Sequence, residues 1–590
     1  MAVHNADIAH VFDTIADLLE IQQASIFRVR AYRNAARVVR DLTTEIGTKV
    51  EKGEKLTDLP GIGEDLAAQI DELVRTGRST KLEELQSQVP AGLVELMALP
   101  GLGPKKVKIL HDTLNITSIA ELTKAAKEGR LKKLPGFGEK TEQSILKSIP
   151  VHAEHGKRVK LATAAQYAEP LAEYLRGIAG VTSVVIAGSY RRCKETLGDI
   201  DILVTAGKTA RVMDRFVAYD EVSQVLAKGT TKSSVVLQSG LQVDLRLVPK
   251  ASFGAALQYF TGSQAHNIAI RDLGVKSHLK VNEYGVFAGE KNMAGHSEES
   301  VYAALGLPWI PPELREDRGE IEAARKDSLP RLIELSDIKG DLHSHTKETD
   351  GKNSLRDMVL AAQQMGYEYL AITDHSQRLT VARGLTPKRL AAQIDEIDKL
   401  NEELDGITIL KSIEVDILED GSLDLPDDIL ARLDLVVASV HSRFGLAREK
   451  QTERILKAME HPYFTILGHP TGRLIQEREP YDVDMEQVIT HARAKGRCLE
   501  LNAHPDRLDL TDVHCRMAKE NGVLVSINTD AHSVHDFNNL RFGIGQARRG
   551  WLEKTDVLNT RSLSELLSLL ASMRKVPAVP AARRSTMRPH

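Results

Sequence analysis

The spacing of apolar residues changes along the chain, and each change predicts a different kind of secondary structure. Near the start, VFDTIADLLEIQ places apolar side chains at Val11, Phe12, Ile15, Leu18 and Leu19, the spacing of one face of a packed helix. In the middle third, SVVIA, GDIDILV and LQVDLRLV have the apolar runs or the alternation that are typical of strands. In the last third, short apolar strands alternate with helical stretches, which indicates a parallel sheet.

Three segments of the first 150 residues repeat one pattern, Leu-Pro-Gly-x-Gly followed by a helical stretch. They are LPGIGEDLAAQI from Leu59, LPGLGPKKVKIL from Leu99 and LPGFGEKTEQSIL from Leu134. The glycines allow a tight turn in which backbone N–H groups converge, and the positive end of the next helix adds to them. Such a turn binds a phosphate oxygen without reading the base sequence. Residues 101–150 also hold 10 basic and 5 acidic residues, which fits either a polyanion or a solvated face.

The repeat resembles the helix-hairpin-helix motif of DNA-repair enzymes. A single turn of this kind is often a plain connection between helices, but three copies favour nucleic-acid binding. The resemblance implies DNA-binding roles for eight residues of the three turns. These are Gly61, Gly63, Gly101, Gly103, Lys105, Gly136, Gly138 and Lys140.

The strand GDIDILV, residues 198–204, carries two aspartates on one face, because side chains at i and i+2 of a strand point the same way. Asp199 and Asp201 repel each other there, and burying them without a positive partner is costly. Gly188-Ser189 ends the preceding strand, and Asp244 lies on the polar face of LQVDLRLV. Three such carboxylates can hold two Mg²⁺ ions, which supply the missing positive charge. Surface aspartates at strand ends are the alternative, which this combination disfavours.

This arrangement resembles the nucleotidyltransferase pattern, and two longer segments extend the likeness. GSYRRCKETLGDID and QYFTGSQAHNIAIR resemble the palm and thumb of family X DNA polymerases, the DNA polymerase beta family. The resemblance implies that Asp199, Asp201 and Asp244 are catalytic and bind two Mg²⁺ or Mn²⁺ ions. The residues that it assigns to nucleotide binding are Gly188, Ser189, Arg192, Gly198, Tyr259, Phe260, Gly262, Asn267 and Arg271.

Several positions depart from that family. Animal members have an arginine two residues before the third aspartate, where this chain has Gln242, and Gln264 replaces an acidic residue beside the nucleotide. Relatives that trim sugar-phosphate ends use a lysine in the helix after the first hairpin to form a Schiff base. Gln69 stands at that position and Asp65 four residues earlier. We therefore expect the first hairpin to bind DNA but to have no lyase chemistry.

The last third contains seven predicted strands: DIKGDLHSH, EYLAITDH, GITILKSIEVD, LDLVVASVH, YFTILGHP, GRCLELNA and VLVSINTDAH. Their alternation with helices predicts a barrel, whose active site lies at the C-terminal ends of the strands. Potential metal ligands fall at or near those ends in six strands, and one more lies in the loop TKETDG. They are His343, His345, Asp350, His375, Glu414, His441, His469, Asp530 and His532. Imidazole with carboxylate suits Zn²⁺, Mn²⁺ or Fe²⁺ better than Mg²⁺.

The ligand pattern resembles the PHP domain (polymerase and histidinol phosphatase), with all nine ligand positions filled. The resemblance implies a distorted (β/α)7 barrel that binds up to three ions, Zn²⁺ and/or Mn²⁺. It also implies that such ions activate water and neutralise the charge of a phosphodiester during hydrolysis. The implied ligand sets are His343, His345, Glu414 and Asp530 for one ion, Glu414, His441 and His469 for the second, and Asp350, His375 and His532 for the third.

The composition is that of a globular protein in a reducing compartment. Hydrophobic residues make up 42% of the chain and charged residues 27%, which is ample for a buried core. Cys193, Cys498 and Cys515 are scattered, which argues against a disulfide framework. The start, MAVHNADIAHVFDTIADLLE, is not a signal peptide, and no apolar run approaches the roughly 20 residues that span a bilayer.

Together, the segments resemble bacterial family X DNA polymerases over nearly the whole chain. The implied fold is multidomain α/β, with an all-α helix-hairpin-helix region, an α+β palm and thumb, and the PHP barrel. The predicted domains are an N-terminal helical domain (1–85), a fingers-like helical domain (86–150), a nucleotidyltransferase palm (151–250), a thumb (251–315), a linker (316–337), the PHP barrel (338–575) and a disordered tail (576–590).

The resemblance implies a template-directed repair polymerase that fills short gaps and a barrel nuclease that removes 3′ nucleotides, with cleavage at abasic sites as a further activity. The expected partners are gapped or primer-template DNA and dNTPs, and we expect a cytoplasmic monomer. Two alternatives stay open: a barrel that acts as a phosphomonoesterase on a small metabolite, and a DNA-end scaffold with inactive sites. The hairpin repeats speak against the first, and the intact aspartates and ligand set speak against the second.

Overall fold

The computed structural model describes residues 5–40, 46–59, 61–97, 99, 102–138, 141–142, 145, 158–207 and 210–574. The chain divides into two compact units, Met1–Pro330 with Arg473–Glu479, and Arg331–Gly472 with Pro480–His590. Gly101, Lys140, the side chain of Lys105 and the predicted tail lie outside the described residues. Within the described ranges, no helix combines the length and apolar character needed to cross a bilayer.

The beginning of the first unit is helical and shares one apolar core. The predicted apolar face of the first helix is confirmed, because Phe12, Ile15 and Leu18 are fully buried in that core. Leu19 lies beside them at 2% exposure. The helices here are Asn5–Ile21, Ile26–Arg40, Ile46–Glu51, Glu64–Thr76, Thr80–Gln88, Ala91–Met97, Pro104–Leu114 and Ile119–Lys127.

The middle of the first unit is built on a mixed sheet. Its strands are β1 (Val159–Lys160), β2 (Val181–Ile186), β3 (Thr196–Leu197), β4 (Asp199–Ala206), β5 (Val222–Lys228), β6 (Lys232–Leu237) and β7 (Gln242–Leu247). Five of them form one sheet in the order β2-β4-β7-β6-β5, while β1 pairs with β3. Only β4 and β7 are parallel within the five-stranded sheet, so their first residues lie at the same edge. The helices are Leu161–Arg176, Gly188–Arg191 and Val212–Val217.

The end of the first unit is a small α+β part with buried, paired polar groups. Its strands β8 (Lys280–Asn282), β9 (Gly285–Ala288) and β10 (Lys291–Ala294) form an antiparallel sheet. His266 is fully buried between Glu320 and Tyr302, at 2.6 Å and 3.0 Å from its two ring nitrogens. The helices are Phe253–Thr261, Gln264–Lys276, Glu298–Ala304 and Glu320–Arg325.

The second unit consists of short parallel strands that alternate with helices, as the sequence predicts. The strands are β11 (Gly340–Asp341), β12 (Tyr369–Ile372), β13 (Thr408–Lys411), β14 (Glu414–Asp416), β15 (Val437–Ser439), β16 (Ile466–Leu467), β17 (Cys498–Asn502) and β18 (Val525–Asn528). The helices are Leu355–Gln364, Pro387–Glu403, Asp427–Leu430, Arg448–Met459, Met485–Lys495, Asp512–Glu520, Leu540–Arg549 and Leu563–Met573. The interior is apolar, with Ile372, Val415, Leu501 and Ile527 fully buried or nearly so.

The predicted strand GITILKSIEVD is broken in two. Its first half, β13, pairs with β12, and its second half, β14, pairs with β15, with Ser412 and Ile413 between them. The strands therefore form two sheets, β11-β12-β13 and β14-β15-β16-β17-β18. Isolated parallel bridges connect Ser344 with Ala531 and His375 with Glu414 across the two ends. The closed seven-stranded barrel itself stays a prediction.

Candidate active sites

Strands β4 and β7 bring the three predicted catalytic aspartates to one edge of the five-stranded sheet. Asp201 lies directly beside Asp244 in the parallel register, and Asp199 lies beside Gln242. Gly188 lies next to Asp201. Its φ is +60°, and a Cβ at this position would lie 2.6 Å from Asp201 Oδ2. Only glycine fits this position, because a side chain would be strained by the backbone and would collide with the carboxylate.

The three carboxylates differ in their electrostatic environment. Burial, with the charges of Asp199 and Asp244, raises the pKa of Asp201 to about 7. Burial and Asp244 also raise the pKa of Asp199. Burial opposes ionisation of Asp244 too, but side-chain hydrogen bonds, that of Lys232 foremost, lower its pKa. Lys232 Nζ lies 2.8 Å from Asp244 Oδ2, and Gln242 Nε2 donates to Oδ1 at 3.0 Å. Clustered carboxylates with raised pKa values are suited to bind a cation.

An open cleft of about 470 Å³ lies beside the aspartates. Eight of the nine predicted nucleotide-binding residues line it, while Gly198 and Asp244, a predicted catalytic residue, lie outside its lining. The lining therefore joins residues that are far apart in the sequence. It consists of Gly188, Ser189, Arg192, Asp199, Asp201, Tyr259, Phe260, Gly262, Ser263, Gln264, Asn267 and Arg271.

Arg192 is held by contacts behind the cleft. Its Nε donates to Glu316 Oε1 at 3.0 Å, and a second guanidinium nitrogen donates to the carbonyl oxygen of Thr261. Gly262 follows with φ +69°, and a Cβ there would lie 3.2 Å from Arg192 Nη1. The guanidinium is therefore confined in orientation, which suits the fixed geometry of phosphate recognition.

The aromatic wall of the cleft is fixed in a similar way. Tyr259 and Phe260 pack edge to face, with 5.1 Å between ring centres. The guanidinium of Arg246 lies 4.1 Å from the centre of the Phe260 ring. Asn267 Nδ2 donates to the carbonyl oxygen of Tyr259 at 2.6 Å. These contacts hold the end of one helix against the start of the next, where the predicted nucleotide contacts lie.

The described glycines of the three hairpins lie in tight turns. Gly61 and Gly136 have φ of +77° and +78°, the left-handed region that glycine tolerates. Gly63 and Gly103 are the N-cap residues of the helices that follow their turns. A Cβ at Gly63, Gly103 or Gly138 would meet nothing within 4 Å. The side-chain side of these glycines is therefore open, so that another group can approach the backbone closely there.

In the second unit, the predicted metal ligands converge around Glu414. One of its oxygens lies 2.9 Å from His469 Nε2 and 3.2 Å from His441 Nε2. The other lies 2.8 Å from His375 Nδ1 and 3.5 Å from His343 Nε2. His345 Nε2 lies 3.7 Å from the same oxygen. A single buried carboxylate thus reaches five imidazoles, which is the arrangement expected of a bridging ligand.

Two further carboxylates complete the cluster. Asp530 Oδ1 lies 3.1 Å from His345 Nε2, and Asp350 lies 3.5 Å from the Nε2 atoms of His375 and His532. The groups whose ligand atoms lie within 4.8 Å of one another overlap the predicted sets but share His345 and His375. They are His345, Asp350, His375 and His532; His343, His345 and Asp530; and His375, Glu414 and His441.

The donor atoms of this cluster fit metal ions. Six of its buried atoms make no hydrogen bond of normal geometry within the described part of the chain, although two of them, His375 Nδ1 and Glu414 Oε2, lie 2.8 Å apart. Buried polar atoms are normally paired, so this concentration of unpaired atoms favours a bound ligand. Imidazole nitrogens with carboxylate oxygens are the donors that Zn²⁺ and Mn²⁺ accept. The six atoms are His343 Nε2, His345 Nδ1, Asp350 Oδ1, His375 Nδ1, Glu414 Oε2 and His469 Nδ1.

Two buried carboxylates that the sequence analysis missed contact predicted ligand histidines on the side that faces away from Glu414. Glu500 Oε1 lies 2.7 Å from His343 Nδ1, and Asp416 Oδ1 lies beside His441 Nδ1. In both histidines, Nε2 is left facing Glu414. The available signal was an acidic residue inside an apolar strand, as in CLELN and IEVD.

The pKa values of the clustered side chains depend strongly on one another's charges. Burial opposes protonation of His343, but Glu500, Asp530 and Glu414 raise its pKa well above the usual value. Burial, with the charges of neighbouring histidines, lowers the pKa of His345 to about 4. Burial opposes ionisation of Glu414, yet the surrounding imidazoles hold its pKa well below the usual value. The carboxylates therefore stay ionised and attract positive charge.

Five protein families match successive parts of the chain. Two describe the N-terminal region, two the middle and one the last third, in the order that the motifs predict. They are a helix-hairpin-helix domain (residues 3–79), a SAM-like helix-hairpin-helix tandem (93–149), the DNA polymerase beta palm (161–258), the DNA polymerase beta thumb (256–316) and the PHP domain (341–504).

Individual relatives cover the chain to different extents. A probable phosphatase of Thermoanaerobacter sp. (strain X514) is 29% identical over 231 residues, 37% of this chain and 89% of that protein. The DNA polymerase/3′-5′ exonuclease PolX of Bacillus subtilis (strain 168) is 40% identical over 572 residues, 96% of this chain and 99% of that protein. The family predicted from the motifs is thereby confirmed. The chain belongs to the family X DNA polymerases that carry a C-terminal PHP domain.

Proposed function

We propose that this protein is a template-directed DNA polymerase of repair, which fills short gaps and trims 3′ ends with its PHP domain. The observation that carries the proposal is the cleft beside Asp199 and Asp201, which gathers eight predicted nucleotide-binding residues. The relative from Bacillus subtilis supports it, because its name combines a DNA polymerase with a 3′-5′ exonuclease. The two activities are assigned to separate residue sets, one in each unit.

In the palm, Asp199, Asp201 and Asp244 are the proposed ligands of two Mg²⁺ or Mn²⁺ ions. Such ions, when bound, supply the positive charge that activates the primer 3′ hydroxyl and stabilises the leaving pyrophosphate. Asp244 is held ionised by Lys232, and Lys232 must give up its place on Oδ2 if that oxygen is to become a ligand. The raised pKa of Asp201 means that binding a cation there is linked to losing a proton.

The incoming dNTP is the proposed occupant of the cleft. Arg192 and Ser189, which line the cleft, are the proposed contacts of the triphosphate, because a guanidinium can form paired hydrogen bonds with phosphate oxygens. Glycine at position 188 lets the backbone approach the phosphates closely. The remaining contacts proposed for the nucleotide are Gly198 at the triphosphate, Tyr259, Phe260 and Gly262 at the sugar, and Asn267 and Arg271 near the base pair.

In the second unit, the nine predicted ligands are proposed to hold up to three ions, Zn²⁺ and/or Mn²⁺. Such ions, when bound, supply an activated water and neutralise the charge that develops on the phosphodiester. Glu414 holds the ligand groups together from its central place, and Asp416 orients His441 from behind. The same chemistry extends, in our proposal, to cleavage beside an abasic site, since that bond is also a phosphodiester.

DNA is the proposed substrate of both units, gripped through the phosphate backbone by the hairpin glycines. We further propose a monomer, cytoplasmic in location. The proposed domains are 1–85, 86–150, 151–250, 251–315, 316–337, 338–575 and 576–590, with the roles assigned above.

A second candidate function applies to the PHP part alone. The relatives named probable phosphatases match 34–40% of this chain but 82–92% of their own lengths, which points to a free-standing hydrolase built on this domain. A small phosphomonoester is therefore the alternative substrate. The three predicted hairpin turns favour DNA instead.

The test is a set of reactions on one gapped duplex with a labelled primer. Wild type should extend the primer with dNTPs and Mg²⁺ or Mn²⁺, and should shorten it when dNTPs are withheld. Asp201→Ala should remove extension only, and His441→Ala should remove shortening only. Hydrolysis of p-nitrophenyl phosphate without shortening of the primer would favour the phosphomonoesterase. Loss of both activities in either well-folded variant would contradict the division between the units.

A further inference from the structure

Strand β17 is the one predicted strand of the last third to which the sequence analysis assigned no metal ligand, yet it carries polar side chains into the interior. Glu500 and Asn502 are both fully buried, two residues apart on one face of the strand. Leu499 and Leu501, on the other face, belong to the apolar core. Burying an ionised carboxylate is costly unless donors surround it, so the partners of Glu500 decide what it does.

Four donors converge on the Glu500 carboxylate. Oε1 faces His343 Nδ1 at 2.7 Å and accepts from Asn528 Nδ2 at 2.9 Å. Oε2 accepts from the backbone N–H of His469 at 2.8 Å and from Asn502 Nδ2 at 3.2 Å. Two of the four donors belong to residues proposed as metal ligands, one through its ring and one through its backbone.

The contacts of Glu500 also reach a third ligand. Asn502 Nδ2, which donates to Glu500, lies 3.0 Å from Asp530 Oδ2. On the other side of the imidazole, His343 Nε2 lies 3.4 Å from Asp530 Oδ1 and 3.5 Å from Glu414 Oε2. Glu500 thus stands behind the cluster and is separated from it by the His343 ring, so it acts on the ions through other residues.

We propose that Glu500 is a positioning residue of the metal cluster, which keeps the proton of His343 on Nδ1 so that Nε2 offers its lone pair to an ion. The inference rests on the proposed metal-dependent function of this unit. A carboxylate behind a ligand histidine fixes both the tautomer and the ring orientation, and raises the basicity of the ligating nitrogen. Through the His469 backbone and Asn502, the same carboxylate sets the spacing of the neighbouring ligands.

Only an acceptor that lacks hydrogens satisfies this site. A carboxylate offers about four lone-pair positions, whereas a glutamine amide has one oxygen and two N–H donors. If the amide oxygen of Glu500→Gln faces His343, its NH₂ group faces the donors of His469 and Asn502. If the NH₂ group faces His343 instead, the histidine must accept on Nδ1 and carry its proton on Nε2, which points toward the ion. Either orientation weakens the cluster.

The experiment uses the full-length chain, stripped of metal and titrated with Mn²⁺ alone. Four proteins are compared: wild type, Glu500→Gln, His343→Ala and the double variant. Glu500→Gln should weaken Mn²⁺ binding about 10–100-fold, the usual effect of removing a carboxylate behind a ligand. In the His343→Ala background, Glu500→Gln should weaken Mn²⁺ binding clearly less than it does in wild type, because the part of its effect that passes through His343 is already lost. Gap filling, which uses the palm, should be unchanged in all four.

Controls separate this inference from a general loss of structure. Glu368→Gln changes a half-exposed glutamate of the same unit, and it should bind Mn²⁺ as wild type does. Co²⁺ added to stripped protein gives an independent readout, since a tautomer change at His343 should alter its absorption spectrum. Glu500→Asp keeps the charge and the acceptor character, so it should lie between wild type and Glu500→Gln. If Glu500→Gln does not fold, Glu500→Asp takes its place in the Mn²⁺ titration.

Distinct outcomes overturn distinct claims. Wild-type Mn²⁺ affinity in Glu500→Gln, or in Glu500→Asp where that variant carries the titration, overturns the positioning role. Fully additive losses in the double variant also overturn it, because they show that Glu500 acts independently of His343. If wild type and His343→Ala bind Mn²⁺ equally, the proposed metal cluster is itself refuted, and with it the proposed function of this unit.

Discussion

Arg192 donates from Nε to Glu316 Oε1 across 3.0 Å, and both side chains are largely buried. The arginine that we assign to the triphosphate therefore already has an anionic partner. Glu316 comes from beyond the thumb sheet, 124 residues along the chain. The ion pair fixes the guanidinium in advance, so that less conformational entropy is lost when the nucleotide binds.

Glu316→Ala should raise the KM for dNTP about 10-fold, since a hydrogen bond to a charged group contributes roughly 1.5–3 kcal/mol. Single-nucleotide gap filling under steady-state conditions measures it. Glu322→Ala, an exposed glutamate on the nearby helix, is the control. A KM that stays the same or falls would show that Glu316 competes with the triphosphate and does not position Arg192.

Asp244→Ala should abolish nucleotide incorporation and leave 3′ shortening intact. Asp244 lies beside Asp201 in the palm sheet, whereas all the ligands of the PHP cluster lie in the second unit. Primer extension and primer shortening on the same gapped duplex, with circular dichroism as a check of folding, give both rates. A well-folded variant that loses both activities would refute the assignment.

Lys232→Met should lower the Mg²⁺ concentration that supports half-maximal gap filling, by about 2–5-fold. Lys232 occupies an oxygen of Asp244 that the metal needs, but it is 44% exposed, so its ion pair is worth at most about 1 kcal/mol. Lys228→Met is the matched control, because Lys228 lies on the same β5–β6 hairpin as Lys232 but pairs with Asp214, 2.6 Å away. An increased Mg²⁺ requirement would mean that Lys232 favours metal binding and does not compete with it for Asp244.

The chain should show little Schiff-base lyase activity. Gln69 stands where related lyases have a lysine, and its Nε2 lies 3.1 Å from the hydroxyl of Tyr32. Borohydride trapping of the protein on an incised abasic strand measures the activity. Efficient trapping that survives replacement of lysines outside residues 1–80 would contradict us, and would implicate Lys49, Lys52 or another nearby amine.

Glu298 should make the thumb sensitive to acid. Burial would raise its pKa, but Arg191 and Arg315 lower it to about 2. A depressed pKa stabilises the fold above the unfolded value of 4.5, and this stability is lost as the pH falls toward 2. Glu298→Gln should therefore cost roughly 3 kcal/mol at pH 7, and its difference from wild type should shrink between pH 4.5 and 2.

The fluorescence of Trp309 reports this unfolding, because its Nε1 donates to Glu298 at 3.0 Å. Trp551→Phe removes the second tryptophan from the background in which both proteins are compared. Glu299→Gln changes an exposed neighbour and should leave the urea midpoint unchanged. A gap between wild type and Glu298→Gln that persists at pH 2 would contradict the assigned pKa.

The sequence was sufficient to predict candidate site residues, but not which of them lie next to one another. Asp199 and Asp201 follow from strand periodicity, and the histidines follow from their position at strand ends. Which histidines share a neighbour depends on how the strands are arranged, so the closeness of His345 to His532 was not foreseen. Lys232 was missed for a similar reason, since its contact with Asp244 depends on the pairing of β6 with β7. Glu500 was missed because one acid in an apolar strand also fits a surface position.

The break between β13 and β14 has a mechanical consequence. Glu414 begins β14, at the joint between the two sheets of the second unit. Three of the imidazoles around it, His343, His345 and His375, follow strands of one sheet, and two, His441 and His469, follow strands of the other. Ions bound there would be held by residues that follow strands of both sheets, and would therefore connect the two sheets. Removal of the ions with a chelator should therefore make the connection between β13 and β14 more mobile, as well as stop hydrolysis. The Ile413 amide should then exchange with deuterium faster as metal occupancy falls.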